Sequence, residues 1–325
     1  MKIEAFELTK DDYAPLADLM NAVYTDNLST PDEMEYFENS REAKCKSYKW
    51  RLKVGDEWAG FGEIRNVSDF YHPDKYWLNM VVHPDHRNRG YGQALWVAIE
   101  AKARELDAIK LRTAVKEDWE YALRFCDKQG MVEMFRGWES ALDLQNLDPT
   151  PILAQAEKAR QSGIAIKSLA ELRSDPDRDR KTYEVSVETE MDAPSIEPIT
   201  KISFETFVEH TFKNPNFIEE AFFIALDGDR YVGTTAMWLT QGHPERVYTG
   251  LTGVLRDYRR RGIASALKLR GLEWAKNAGY KETVTWNATI NRPMLSINEA
   301  LGFEKRPAWV EYHYIMREEA CRSSA

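Results

Sequence analysis

Two glycine-rich segments hold the residues of this chain whose types and spacing could do chemistry. The first reads Arg87-Asn88-Arg89-Gly90-Tyr91-Gly92, and the second reads Arg259-Arg260-Arg261-Gly262-Ile263-Ala264. A small residue at the last position lets a ligand approach the backbone closely, and free amides at the start of a helix attract an anion. Because arginine adds charge-assisted hydrogen bonds to phosphate oxygens, both segments are suited to bind a pyrophosphate.

The two segments belong to a longer repeat. Gly90 and Gly262 lie 172 positions apart (262 − 90), and each is followed 40 residues later (130 − 90 and 302 − 262) by a second glycine, in Gly130-Met131 and Gly302-Phe303. A constant offset over this length indicates a duplicated domain. The sequence has neither a nucleotide P-loop motif nor Gly-x-Gly-x-x-Gly after its first strand, which disfavours both nucleotide-binding folds.

Each segment must be positioned by a strand before it and a helix after it. Apolar strands are predicted at Tyr76–Val82 and Val247–Val254. Amphipathic helices are predicted at about Gln93–Leu106 and Ala264–Ala278, because apolar residues recur there at helical spacing. A strand that runs directly into the loop, with a helix directly after it, would present the loop amides to a ligand.

Length and composition indicate two soluble domains. The chain has 325 residues, of which 30% are charged and 43% hydrophobic, ordinary values for a globular protein. The prolines that follow Asp148 mark a break in the chain. We therefore expect a first domain over residues 1–147, a linker helix over 148–163 and a second domain over 164–325.

Charge and cysteine content limit the classes of partner. The net charge of −9 is unlike the basic footprint of a nucleic-acid binder, and an acidic surface would attract a cationic substrate. The three cysteines, Cys45, Cys126 and Cys321, are too few and too far apart for a disulfide framework or a zinc site, and no other metal site is expected. With no apolar run long enough to span a bilayer and no signal core, we expect a cytoplasmic protein that binds neither membrane nor nucleic acid.

The sequence resembles a known superfamily. Val82 to Met131 and Val254 to Phe303 are similar to the core of the GNAT acyl-CoA N-acyltransferases. The stretch from Thr285 to Phe303 resembles the C-terminal domain of tandem GNAT proteins, a group that includes mycothiol synthase. The resemblance implies an α+β fold with two GNAT-like domains. Each would be a mixed, mostly antiparallel twisted sheet with a splayed central strand pair, flanked by helices.

The resemblance also implies roles for individual residues. The two glycine-rich segments would hold the pyrophosphate of coenzyme A, with acetyl-CoA as the expected donor. Val82 and Val254 would offer backbone groups to the pantetheine arm or to the thioester carbonyl, where a donor stabilises the oxyanion. Asn287 and Asn291 would contact the cofactor arm.

Some positions depart from the family pattern. Where many GNAT enzymes have a tyrosine that protonates the departing thiolate, four residues before the Gly-Phe pair, this chain has Cys126 and Asn298. A neutral asparagine can donate a hydrogen bond but cannot act as an acid. The first domain also has Val115 and Trp119 where the second has the two cofactor-arm asparagines. We therefore expect the second domain to be the better-equipped catalyst.

A base should remove a proton from the acceptor amine, directly or through one water. The candidates are Tyr248 on the predicted splayed strand, Glu311 and Tyr314 near the C-terminus, and Glu63 in the first domain. Each is also compatible with an ordinary strand position, and the sequence leaves this choice open.

The predicted activity is acyl transfer, with acetyl the expected group, from acyl-CoA to a primary amine, most simply a small molecule. No activated nucleophile is evident, so the amine should attack directly in a ternary complex. Two alternatives stay open: a coenzyme A-binding regulatory or scaffold protein without turnover, and acetylation of a protein lysine. The sequence leaves the oligomeric state undefined.

Overall fold

The computed structural model describes residues 1–318, so Cys321 lies outside the described part. The chain divides into two compact units. Of the described residues, unit 1 contains 1–135 and 309–318, and unit 2 contains Arg136–Ala308.

Unit 1 is built on a mixed sheet. Its elements, in chain order, are β1 (Lys2–Ala5), α1 (Tyr13–Val23), α2 (Pro31–Asn39), β2 (Ser47–Val54), β3 (Glu57–Arg65), β4 (Lys75–Val82), α3 (Tyr91–Glu105), β5 (Lys110–Lys116) and α4 (Glu120–Lys128). Strands β1 to β4 form an antiparallel series, and β5 runs parallel to β4. Gly55, at a φ of +63°, makes the tight turn between β2 and β3.

Helices cover both faces of this sheet. On one face, Leu95 and Ile99 of α3 pack against β3, where a Cβ on Gly62 would lie 2.7 Å from the Ile99 side chain. On the other face, Leu16 and Leu19 of α1 pack in a separate apolar cluster. Glycine in β3 thus brings α3 close to the strand pair that leads to the first glycine-rich segment.

Unit 2 repeats this arrangement. Its elements are β6 (Val132–Asp143), α5 (Thr150–Gln161), β7 (Ile164–Ser168), α6 (Arg178–Glu190), α7 (Phe204–Phe207), β8 (Phe217–Asp227), β9 (Arg230–Leu239), β10 (Arg246–Val254), α8 (Ile263–Asn277), β11 (Glu282–Ala288), α9 (Arg292–Ala300) and β12 (Glu304–Lys305). The strand order is β6-β11-β10-β9-β8-β7, with β12 beside β6. Only β10 and β11 pair in parallel; the other neighbours are antiparallel.

One strand in each unit comes from the part of the sequence that was expected to form the other domain. β13 (Trp309–Ile315) pairs antiparallel with β5 in unit 1, from Trp309↔Lys116 to Ile315↔Lys110. In unit 2, β6 pairs with β11, from Gly137 to Asp143. The units therefore differ from the expected division at residues 136–147 and at residues 309–318. The alternation of residues along a strand shows which of its faces is apolar, but it does not show which other strand it pairs with.

The expected fold class is confirmed. Each unit is an α+β domain with a mixed, mostly antiparallel sheet and helices on its faces. The parallel pair at the centre of each sheet is short. It joins β4 to β5 only at Lys75–Trp77, and β10 to β11 only at Arg246–Thr249. Beyond these residues the two strands diverge, which is the expected splay.

Candidate active site

At the ends of β4 and β10, backbone groups face the gap that opens where β5 and β11 diverge from them. The amide of Leu255 donates to the carbonyl of Val232 (2.9 Å). Because bonded and non-bonded pairs alternate along an antiparallel ladder, the amide and carbonyl of Val254, the residue before Leu255, point away from β9 and toward the side where β11 has diverged. The same holds in unit 1, where the amide of His83 donates to Ala59 (2.9 Å). Val82 and Val254 thus direct backbone groups into the gap between the diverging strands.

Both glycine-rich segments adopt the same backbone conformation. Asn88 and Gly90 have φ values of +60° and +80°, and Arg260 and Gly262 have +62° and +81°. Alternating left-handed residues before a helix aim successive amides into one concavity, which suits an anion. Within residues 1–318, the amides of residues 88–90 and 260–262 have no hydrogen-bond acceptor. Both loops can therefore hold a phosphate group through their backbone.

The first arginine of each segment ties its loop to the preceding strand. Arg87 Nε donates to the carbonyl of Val82 (3.4 Å), and Arg259 Nε donates to the carbonyl of Val254 (3.0 Å). The rest of the Arg259 guanidinium contacts the carboxylate of Asp192 (2.6 Å), which also pairs with Arg256. Hydrogen bonds from Arg256 and Arg259 lower the pKa of Asp192. No motif in the sequence points to this carboxylate, which lies far upstream.

The remaining loop residues divide between solvent and core. Arg89 and Arg260 are exposed, and Arg261 donates to the carbonyl of Asp257 (2.8 Å). Ile263 is buried in the unit 2 core; Tyr91, Gly92 and Ala264 are partly buried at the start of the helices. The exposed side chains of these segments thus include those of Asn88, Arg89, Arg260 and Arg261.

The surroundings of the two loops differ at the glycine that starts each helix. A Cβ on Gly90 would meet nothing within 4 Å. A Cβ on Gly262 would lie 1.7 Å from the backbone carbonyl oxygen of Gln155 in α5. The linker helix therefore packs directly on the second loop, whereas the first loop is open. Sequence reasoning missed this contact because the predicted linker helix had no assigned partner.

Two of the three expected asparagines come together in unit 2. The side-chain amide of Asn298 donates to Asn287 Oδ1 (2.6 Å), and Asn298 is buried with 1% exposure. Asn291 instead caps α9, where its Oδ1 accepts from the amide of Met294 (3.4 Å). Asn287 and Asn298 thus form a polar pair at the end of the diverging strand, while Asn291 fixes the start of the neighbouring helix.

Unit 1 has aromatic rings in the corresponding place. Trp119 contacts Tyr24, Tyr121 and Trp309, with ring centroids 5.4, 6.1 and 5.6 Å away. The hydroxyl of Tyr24 donates to Asn79 Oδ1 on β4 (3.3 Å), so this aromatic cluster links β4 with the segment after β5.

The cysteine at the expected acid position in unit 1 is inert. Cys126 is buried with 3% exposure, and burial raises the pKa of its thiol to about 12. A thiol with this pKa is neither a nucleophile nor an efficient acid near neutral pH.

Tyr248 lies on β10, before the strands diverge. Burial raises its pKa to about 12, and the nearby carboxylate of Glu139 acts in the same direction. Near neutral pH the phenol keeps its proton and can donate a hydrogen bond. Tyr248 therefore lacks the protonation state that a base would need.

The other base candidates belong to unit 1. Although burial opposes it, hydrogen bonds from His313 (2.8 Å) and Arg112 (2.7 Å) lower the pKa of Glu311. Tyr314 donates to Glu100 (2.6 Å), and Glu63 accepts from Ser47 (2.7 Å) on the neighbouring strand. The structure thus assigns Glu311 to a different unit from Val254, Tyr248 and Asn298.

Among residues 1–318, no three His, Cys, Asp or Glu side chains gather closely enough to hold a metal ion. Over the same part of the chain, no helix is both long and apolar enough to cross a membrane.

Comparison with known proteins matches the same family to both parts of the chain. The family described as acetyltransferase (GNAT) matches residues 13–131 and again residues 186–303. Mycothiol acetyltransferase of Thermobifida fusca is 26% identical over 255 residues, which cover 74% of each chain. N-alpha-acetyltransferase 30 of Schizosaccharomyces pombe is 32% identical over 109 residues, which cover 33% of this chain and 68% of that protein.

Solved structures show the same fold over nearly the whole chain. A tandem GNAT protein from the clavulanic acid biosynthesis pathway superposes with a TM-score of 0.74 at 19% identity, covering 98% of this chain and 100% of that chain. A GCN5-related N-acetyltransferase from Sphaerobacter thermophilus superposes with a TM-score of 0.66 at 20% identity, covering 97% and 96%.

Proposed function

Because the chain belongs to the GNAT family of N-acetyltransferases, we propose that it transfers an acetyl group from acetyl-CoA to a primary amine, and that unit 2 performs the transfer. The amine attacks the thioester directly in a ternary complex. A small-molecule amine is the proposed acceptor, in line with the relative named mycothiol acetyltransferase.

One observation carries the assignment to unit 2. The ladder between β9 and β10 shifts between Thr249↔Met237 and Thr252↔Thr235, so β10 has one extra residue. A bulge leaves a residue unpaired and redirects the backbone of the strand. In unit 1, the ladder between β3 and β4 continues without a shift. Only β10 therefore combines a bulge with a backbone amide, that of Val254, that faces the gap.

The residues of unit 2 suit the donor. The amides of residues 260–262, at the start of α8, would hold the pyrophosphate, and Asn287 and Asn298 would face the pantetheine arm. Acetyl-CoA supplies the acetyl group as a thioester. The amide of Val254 would stabilise negative charge that develops on the thioester oxygen; the loss of one such donor typically reduces the rate about 100- to 1,000-fold.

In unit 1 the corresponding gap is crossed by the aromatic cluster around Trp119, and the guanidinium of Arg87 lies 3.9 Å from the ring centroid of Tyr121. These contacts leave the phosphate loop open but occupy the region that the polar pair has in unit 2. Unit 1 is proposed to bind coenzyme without turnover.

The test uses a matched pair of charge reversals. Arg89 and Arg261 hold equivalent loop positions (89 + 172 = 261) and are exposed, so Arg89→Glu and Arg261→Glu should both fold. Each adds a carboxylate beside one phosphate loop. We expect Arg261→Glu to raise the KM for acetyl-CoA at least about tenfold and Arg89→Glu to leave it within about twofold, measured by thiol release with a panel of amines. The reverse pattern would transfer the catalytic role to unit 1.

A second function is favoured by one observation. Neither Cys126, with its raised pKa, nor the amide of Asn298 can protonate a departing thiolate. A coenzyme A-binding regulatory protein would need no such acid. Calorimetric binding of acetyl-CoA without thiol release from any amine would support this alternative. Thiol release with peptides but not with small amines would indicate a protein-lysine acceptor.

A further inference from the structure

The end of α6 lies against the strand that leads to the second glycine-rich segment. A Cβ on Gly253 of β10 would lie 2.4 Å from the side chain of Thr189, a buried residue of α6. Helix and strand are therefore in direct contact one residue before Val254. The helix ends at Glu190, so this contact fixes the position of Asp192, the second residue after it.

Asp192 holds two arginines through both of its carboxylate oxygens. Its side chain is 12% exposed. Arg256 Nε donates to the two oxygens at 2.9 and 2.8 Å, and the guanidinium of Arg259 contacts the second oxygen at 2.6 Å. Arg259 also donates from Nε to the carbonyl of Val254 (3.0 Å). Because a guanidinium is a rigid plane of donors, its contact with Asp192 helps to orient the edge that binds the strand.

Through Arg259, the carboxylate acts on the backbone of Val254. The amide and the carbonyl of a strand residue point to the same edge of the strand, and those of Val254 point into the gap between β10 and β11. A hydrogen bond to the carbonyl therefore also restrains the direction of the amide. That amide is the group proposed to stabilise the thioester oxygen, and a misplacement of about 1 Å in such a site can reduce the rate about 100-fold.

Unit 1 has the loop without the carboxylate. Arg87 Nε lies 3.4 Å from the carbonyl of Val82, and its guanidinium lies over the ring of Tyr121. Among residues 1–318, Arg87 forms no ion pair with a carboxylate. Both loops nevertheless have the same left-handed φ values. The carboxylate is thus not needed to form the loop, and it occurs in the unit that has the bulged strand.

The charge of Asp192 opposes coenzyme binding. A carboxylate beside a pyrophosphate site lowers the local attraction for an anion. It also engages the guanidinium of Arg259, which could otherwise bond to a phosphate oxygen. Any benefit of Asp192 to the enzyme must therefore arise in the transfer step and not in affinity for the coenzyme.

We propose that Asp192 is a positioning residue for the acetyl transfer, because it holds Arg259 on the carbonyl of Val254 and so keeps the amide of Val254 directed into the gap. This inference rests on the proposed transfer in unit 2. Asp192 acts through Arg259 and contacts neither coenzyme nor acceptor. Arg259 thereby serves to brace the strand, while the backbone amides of the loop bind the phosphate.

The first test separates kcat from KM. Asp192→Asn removes the charge and keeps the size of the side chain. Asp257→Asn, an exposed aspartate in the turn just before the same loop, is the matched control. Asp192→Asn should lower kcat at least about tenfold, while the KM for acetyl-CoA stays the same or falls. Asp257→Asn should keep kcat within about twofold of wild type. An unchanged kcat in Asp192→Asn, or an equal loss in Asp257→Asn, would overturn the proposal.

A double-mutant cycle tests whether Asp192 acts through Arg259. Arg259→Met removes the donors and keeps a long side chain, so it should lower kcat by itself. Adding Asp192→Asn to Arg259→Met should then change kcat by less than about twofold, because residues that act as a unit are not additive. Two full losses that multiply would contradict the proposed route.

A further measurement needs no turnover. In protein labelled with a nitrogen isotope at valine, the NMR signal that is absent from Val254→Ile belongs to the amide of Val254. This signal should shift in Asp192→Asn and in Arg259→Met, and it should stay in place in Asp257→Asn. A signal that Asp192→Asn does not move would overturn the proposal. Failure of the acetyl transfer itself would appear separately, as the absence of thiol release in wild type.

Discussion

The two loop glycines give the sharpest test of the structure. Gly90 and Gly262 hold the same motif position, with φ values of +80° and +81°. They differ in surroundings, because Gly90 has open space and Gly262 lies against the backbone of Gln155. Gly90→Ala and Gly262→Ala therefore share the cost of a left-handed alanine, and only Gly262→Ala adds a steric clash.

The magnitude can be worked out term by term. A left-handed conformation costs an alanine about 1–2 kcal/mol, offset by about 0.4–1 kcal/mol because alanine restricts the unfolded chain. Gly90→Ala should thus destabilise the protein by about 1 kcal/mol. At Gly262 the new Cβ would lie 1.7 Å from a carbonyl oxygen, so α5 must move. Overpacking of this kind costs about 1–3 kcal/mol, and Gly262→Ala should lose about 3 kcal/mol in all.

Urea unfolding followed by tryptophan fluorescence measures both free energies of unfolding. Gln155→Ala combined with Gly262→Ala is the control: because the contacted atom belongs to the Gln155 backbone, shortening its side chain should not restore stability. Equal losses for the two glycine variants, or a rescue by Gln155→Ala, would refute the packing of α5 on the second loop.

Three further outcomes follow from buried or paired ionisable groups. Asp192→Asn should lower the free energy of unfolding by about 1 kcal/mol at pH 7. Because Arg256 and Arg259 lower the pKa of Asp192, the difference between variant and wild type should vanish as the pH falls through that lowered pKa. Unfolding measured from pH 2 to pH 7 tests this. Cys126, with its thiol pKa raised to about 12, should resist iodoacetamide at pH 8 in the native protein, and mass spectrometry that finds rapid labelling would contradict its burial. Burial lowers the pKa of Lys268, on α8, to about 7. Lys268→Met should raise the free energy of unfolding at pH 6 by about 2–4 kcal/mol. Wild-type stability should increase as the pH rises from about 7 toward 10.5, since the unfolded chain binds the extra proton over that range. Thermal unfolding from pH 6 to 10.5 should therefore show the difference in stability between Lys268→Met and wild type becoming smaller.

Local elements were well predicted where the sequence pattern was strong. The strand expected at Tyr76–Val82 is Lys75–Val82, and the helix expected at Ala264–Ala278 is Ile263–Asn277. The helix at Pro31–Asn39 was missed, although Thr30 and Glu33 form a capping box at its start, which is a recognisable sequence signal.

The candidate site was predictable in part. The loops could be found because glycine and arginine at fixed spacing report a backbone conformation, and Asn88, Gly90, Arg260 and Gly262 have the left-handed φ values that such a loop needs. The protonation states of side chains could not be predicted in this way. Tyr248 was expected among possible bases, but its pKa is raised to about 12 by burial, and burial depends on neighbours that are distant in sequence.

The sequence by itself determined the duplication and the two glycine-rich loops, because these follow from repeated spacing and from local preferences of the backbone, and its resemblance to the GNAT superfamily indicated the fold class. Only the tertiary structure decided that β13 completes unit 1, that α5 packs on Gly262, and that the buried Lys268 Nζ has no hydrogen-bond partner among residues 1–318. Each of these depends on contacts between residues far apart in the chain, and neither periodicity nor motif spacing carries that information. The repeat made the two units alike, and the contacts around the two loops made them different.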